Sequence, residues 1–158
     1  MTAEGWRREV IDATGLAVDV YEGWERVPRD DGFDLRSSAG TVAFVRVGPG
    51  ATIQAFLPGL SDFVTTATVT ADERLRLAGG VGRQVTVAVR RPPMRVYRDD
   101  PIHGPVDEER AEQGATVVLV EPELAQGRAL VGFRLPDEEA AALDRPVAER
   151  FLRSLGPG

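Results

Sequence analysis

Leu16, Val18 and Val20 alternate with Ala17 and Asp19 in "GLAVDVY", and this period of two predicts a strand at about 15–20. It belongs to a stretch, 8–27, that begins with two short apolar-rich runs around Ala13-Thr14-Gly15. Gly23 ends it, and 24–27 is a candidate continuation. "VPRDDG" is a turn cluster. "FDLRSS" alternates apolar with polar, "TVAFVRV" (41–47) is rich in β-branched residues, and Ser38-Ala39-Gly40 between them predicts a hairpin. Next, Ile53, Phe56, Leu57, Leu60, Phe63 and Val64 recur at spacings of three and four, interrupted by Pro58-Gly59. That pattern predicts a short, broken helix over 52–64.

The second half is clearer. In "ERLRLAGGVGRQVTVAVRR" (73–91), Leu75 and Leu77 alternate with Arg74 and Arg76. Gly79-Gly80 turns the chain, and Val85, Val87 and Val89 share a face on the return strand. Residues 92–114 read as a long polar connection with a short strand at 94–97. "ATVVLVE" (115–121) and "RALVGFRL" (128–135) are strong strands. Pro136 is placed to open a helix, with Asp137, Glu138 and Glu139 at its positive end. Pro146 predicts a break, followed by an amphipathic helix with Val147, Phe151, Leu152 and Leu155 on one side. Six or seven strands with these helices predict one α+β domain, its mainly antiparallel sheet covered by helices.

Three regions carry a resemblance. "GLAVDVYEGWERV" resembles the opening strand and Pro-x-Gly-Trp corner of the PsbP-like fold family, with Tyr21 where proline is usual. "ERLRLAGGVGRQVTVAV" resembles its paired central strands. "LVGFRLPDEEAAALDRPVAERFLRSL" resembles its last strand and terminal helix. That family includes photosystem-associated PsbP proteins, Ran-binding Mog proteins, bacterial DcrB-like proteins and EagR-type secretion chaperones. The resemblance spans nearly the whole chain. It implies an αβα sandwich that binds other proteins, and it brings no shared catalytic residues.

Composition narrows the chemistry. At 158 residues the chain fits one domain, and a chain of this size buries roughly 70% of its unfolded surface without staples. The absence of cysteine removes thiolate nucleophiles and thiolate metal sites. All 19 basic residues are arginine, so Schiff-base, P-loop-lysine and Ser–Lys chemistry are removed too. A net charge of −6 disfavours a generic nucleic-acid binder. No long apolar run marks a signal peptide or membrane span, and the expected location is cytoplasmic.

The candidate reactive groups are sparse. His103 is the one histidine; Asp99 and Asp100 are close enough in sequence to orient it. It lies between Pro101 and Pro105 in a polar stretch, which reads as a solvated loop. Ser37, Ser38, Ser61 and Ser154 lack a nucleophile-elbow setting. Gly79, Gly80 and Gly82 read as turn residues, because no dinucleotide-type spacing or following helix accompanies them. Adjacent acids at 30–31, 99–100, 108–109 and 138–139 do not by themselves supply two carboxylates across a cleft.

One charge feature remains. Seven arginines and no acid occur from position 74 to position 98. Arg74, Arg76, Arg90, Arg91, Arg95 and Arg98 are the candidate partner-binding residues, since guanidinium grips carboxylate in a fork. The competing reading is a solvated face neutralised by the protein's own acids. The expected function is a non-enzymatic adaptor, chaperone or accessory factor, without cofactor or metal, that binds an acidic or apolar protein segment and no nucleic acid. The alternative is a small-ligand binder or hydrolase with a pocket under the 92–114 connection near His103.

Overall fold

The structure, a computed structural model, describes residues 5–11, 14–37, 40–77, 80–124, 127–136 and 139–157. A seven-stranded antiparallel sheet forms its centre. The strands are β3 (Glu25–Arg29), β4 (Gly32–Ser37), β5 (Gly40–Val47), β6 (Thr66–Leu77), β7 (Gly80–Arg91), β10 (Gln113–Pro122) and β11 (Ala129–Pro136). Their spatial order is β3-β4-β5-β11-β10-β7-β6. β1 (Trp6–Ile11), β2 (Leu16–Tyr21) and β12 (Gly156–Pro157) form a second sheet, and β8 (Met94–Asp100) pairs with β9 (Gly104–Arg110). The chain is therefore α+β with a mainly antiparallel sheet.

Strand alternation divides the core between the two sides of the central sheet. On one side Val120, Val131, Phe133 and Leu135 meet Val18 and Val20 of β2 and Phe151, Leu152 and Leu155 near the C-terminus. On the other, Val85, Val87, Val117, Leu119 and Leu130 pack with Ile53 of α1 (Ile53–Phe56). β10 and β11 read as almost continuous apolar runs because both of their faces are buried.

The broken helix predicted over 52–64 is present over a shorter range, as α1 followed by a 3-10 turn, Leu57–Leu60, and Phe63 and Val64 lie beyond it. Its first turn is held from two sides. Thr52 Oγ1 accepts from Ala55 N at 3.1 Å, and Glu121 Oε1 of β10 accepts from Ile53 N at 2.7 Å. Phe44 of β5 stacks on Phe56, with centroids 4.9 Å apart.

The aromatic corner also has a physical account. Trp24 N donates to Tyr21 O at 3.0 Å, which turns the chain out of β2. Trp24 then packs edge-on to Trp6, Tyr21 and Phe151 and tilted against Phe133. The Arg150 guanidinium lies 4.4 Å from the Trp6 ring centroid. Both tryptophans are core residues.

Several local expectations need correction. The segment 24–27 does not resume β2; residues 25–27 enter the central sheet as part of β3, which also takes in Pro28 and Arg29 of the predicted turn cluster. Pro136 ends β11 rather than opening a helix. α2 (Glu139–Arg153) runs through Pro146 without the expected break. A proline ring removes one backbone bond, and burial of Ala148, Phe151 and Leu152 below it anchors the remaining turns. The Ser38-Ala39 and Gly79 turns and the acids Asp137 and Glu138 lie outside the described residues.

Candidate functional site

The arginine run falls on two strands and a hairpin, and it does not form one cluster. β6 and β7 pair antiparallel, with Arg74 opposite Arg83, Arg76 opposite Val81, and Thr66 opposite Arg90. Eight positions separate Arg74 from the Thr66 level, roughly 25 Å at about 3.3 Å per residue. Arg74 and Arg76 thus occupy one end of the outer strand pair, while Arg90 and Arg91 occupy the other. Arg95 and Arg98 continue from the latter end onto β8.

Each group meets different company. Arg83 forks onto Asp72 at 2.9 and 2.6 Å, and this hydrogen bond holds the Asp72 carboxyl below its ordinary range. Arg74 reaches Glu123 only at 3.5 Å. Arg76 is exposed and has no ion-pair partner among the described residues. Arg91 is half-buried, and its charge helps lower the Asp62 carboxyl, after the larger effect of the Val64 and Thr65 backbone N–H groups. Arg95 donates to both oxygens of Asp107 at 2.7 Å, and Arg98 lies 3.7 Å from Glu108.

Residues 92–114 are more ordered than a connecting loop. β8 and β9 form a hairpin in register from Met94 opposite Arg110 to Asp100 opposite Gly104. Met94, Val96 and Val106 are half-buried, whereas Tyr97 is 71% and Ile102 85% exposed. The sequence signal for β9 was available. Val106 sits among charged residues just after Gly104, and Gly104 has φ +77°, which favours glycine. Proline at 101 and 105 and the dense charge concealed it.

His103 occupies the tip of this hairpin. Its side chain is 76% exposed, and Nδ1 lies 3.5 Å from Asp100 Oδ2. Asp100 Oδ1 accepts from Ile102 N at 2.8 Å and His103 N at 3.1 Å. Those backbone N–H groups are the main reason the Asp100 carboxyl is lowered. The Asp100 carboxylate shapes the turn, and solvent surrounds the imidazole.

The other candidate groups have structural work. Ser154 Oγ donates to Phe151 O and accepts from Asp19 N, each at 2.7 Å, tying the end of α2 to β2. Gly82 is a close-approach site rather than a turn residue: a Cβ there would lie 2.9 Å from Leu77 Cδ1 and 3.0 Å from Glu121 O. Among the described residues, no three His, Asp or Glu side chains converge as a metal-ligand set.

One buried charge cluster was not anticipated. Among the described residues Asp34 of β4 is the buried charged one, accepting from Arg46 at 2.7 Å and Arg29 at 2.8 Å. Burial raises its carboxyl, but hydrogen bonds and charge from Arg46 and Arg29 outweigh that and lower it. The clamp joins β3, β4 and β5 near one edge of the sheet. "FDL" alternation would place Asp34 on the outer face, and the sequence offers no separate sign that two arginines converge there.

Together, the seven-stranded antiparallel sheet, the corner ending in Trp24 and the terminal helix define a PsbP-like fold. A solved structure with this likeness is cyanobacterial PsbP (CyanoP) from Synechocystis sp. PCC 6803. The match has a TM-score of 0.54 and 13% identity, covering 100% of this chain and 95% of that one. At that identity the likeness concerns the fold alone. No family model and no curated protein matches the chain. Among the described residues, no helix is long and apolar enough to cross a membrane.

Proposed function

We propose that this protein is a non-enzymatic adaptor, chaperone or accessory factor that binds a protein segment bearing acidic or apolar residues. The observation that carries this reading is the contrast among the arginines. Asp72 and Asp107 engage Arg83 and Arg95 with two hydrogen bonds each, while Arg74 is held only at 3.5 Å and Arg76 has no ion-pair partner among the described residues. Arg74 and Arg76 therefore form the primary contact. Arg90, Arg91, Arg95 and Arg98, with exposed Tyr97 and Ile102, form a second contact at the hairpin. Net charge −6 favours an acidic protein segment over a polynucleotide through the accompanying repulsion.

The two core clusters support the finer architecture, an αβα sandwich with α2 and α1 on opposite sides of the central sheet. Kinship with Mog, DcrB and EagR-type proteins and a cytoplasmic location belong to the same proposal. The alternative pocket at His103 gains no support from an imidazole standing in solvent at a hairpin tip.

Paired charge reversals test the division of labour. Arg74→Glu with Arg76→Glu should reduce partner capture at least tenfold, while Arg95→Glu with Arg98→Glu should reduce it less. Circular dichroism should remain that of the wild type in both. Equal capture by all three proteins would defeat the proposal.

A further inference from the structure

β6 is a long terminal strand of the central sheet, and among the described residues it pairs only with β7. Such an edge presents backbone N–H and C=O groups to any extended chain, and folded proteins commonly blunt it with charge, proline, a bulge or a covering element. The charged residues of β6 are confined to 72–76. Positions 63–71, "FVTTATVTA", contain no charge and no proline and are rich in β-branched residues. Phe63 at the start of this stretch is fully exposed, and Val69 is 47% exposed. The bulge between Val69 and Ala71 is the one irregularity.

We propose that this edge pairs with β6 of a second copy of the chain, antiparallel across a two-fold axis at Thr68. This goes beyond the partner-binding reading and stands independently of it. A second copy supplies an equally uncharged strip of the same length, and the charge pattern selects the register. Centred on Thr68, the pairing sets Thr68 against Thr68 and Ala67 against Val69, and Thr66 meets Thr70. Every opposed residue from 66 to 70 is uncharged, with the β7-side bulge at Thr70 marking the end of the strip. Ala67 and Val69 both belong to the face bearing Val87 and Val89, so the opposed side chains share a side. Centring on Asp72, Glu73 or Arg74 would instead place that charge against itself, and opposed like charges destabilise strand pairing. The charged half of β6 therefore acts as a register guard, and the uncharged half is the docking strip. This location leaves Arg74 and Arg76 outside the paired segment.

The absence of cysteine makes the test direct. In Thr68→Cys, the introduced thiol is the protein's sole thiol, so a disulfide joins two copies. Directly opposed residues bring their Cβ atoms within roughly 4.5–5.5 Å, close to disulfide range. Mild oxidation of purified Thr68→Cys should give a covalent dimer on non-reducing gels at least tenfold faster than Ala111→Cys, an exposed control beyond β9. Sedimentation of the otherwise wild-type chain should show a concentration-dependent dimer. Thr68→Glu, which opposes two carboxylates, should shift that equilibrium at least tenfold toward monomer with unchanged circular dichroism. A wild-type chain monomeric across the concentration range overturns the proposal. So does a Thr68→Cys disulfide forming no faster than the control, or a dimer indifferent to Thr68→Glu.

Discussion

Replacing Asp34 with asparagine keeps the side-chain volume and removes the charge that two arginines share. The carboxylate is buried, Arg46 is mostly covered, and Arg29 is about half exposed. Removing one partner of a buried pair costs about 3–5 kcal/mol when the remaining charge stays buried. Arg29 can regain water, so the expected loss is smaller, about 2–3 kcal/mol. For a chain of this length each kcal/mol corresponds to about 2–4 °C, giving a fall in Tm of about 5–10 °C. The pH dependence has a fixed sign. The folded carboxyl titrates below its ordinary 3.8, so its stabilisation is present above that value and is lost as pH falls through the folded pKa. Urea unfolding of wild type and Asp34→Asn should differ most at pH 7 and converge as the pH falls below 3.8 and through the folded pKa. A gap unchanged by acid, or absent at pH 7, would refute the reasoning.

Three further outcomes follow from the packing. Gly132→Ala would drive a Cβ into the Phe44 ring, forcing it off Phe56; the fall in Tm should accompany loss of near-ultraviolet dichroism. Trp24→Ala should cost about 3–5 kcal/mol in urea unfolding, because it empties the aromatic cluster. His103→Ala should leave both Tm and partner capture at wild-type values, measured by calorimetry and pull-down.

β4, β5, β7, β10, β11 and the second half of β6 were legible because alternation and two-sided burial leave plain marks, whereas β3, which includes part of the predicted turn cluster, and the first half of β6 were not. Leu75 and Leu77 announced the inward face of β6, and "TVVLV" announced a strand covered on both sides. The α1 break was equally plain from Pro58-Gly59. The β8–β9 hairpin was half hidden, since charged residues occupy positions that a buried hairpin would fill with apolar ones. α2 misled in the opposite way: Pro146 is a strong local signal, and the buried side chains after it outweigh the lost hydrogen bond. For the candidate site, the arginines were evident but their separation was not. That separation depends on the β6–β7 register, which puts Arg74 and Arg90 at opposite ends of one strand pair. The clamp at Asp34 and the anchoring of α1 by Glu121 depend on long-range approach, which no local spacing encodes.

The most direct test compares three baits in one quantitative capture experiment from the native host: wild type, the Arg74→Glu, Arg76→Glu, Arg95→Glu triple variant, and His103→Ala. Selective loss of wild-type partners by the triple variant, with His103→Ala indistinguishable from wild type, is the predicted result. Full retention by the triple variant, or loss confined to His103→Ala, would contradict a protein that works through its arginine surface.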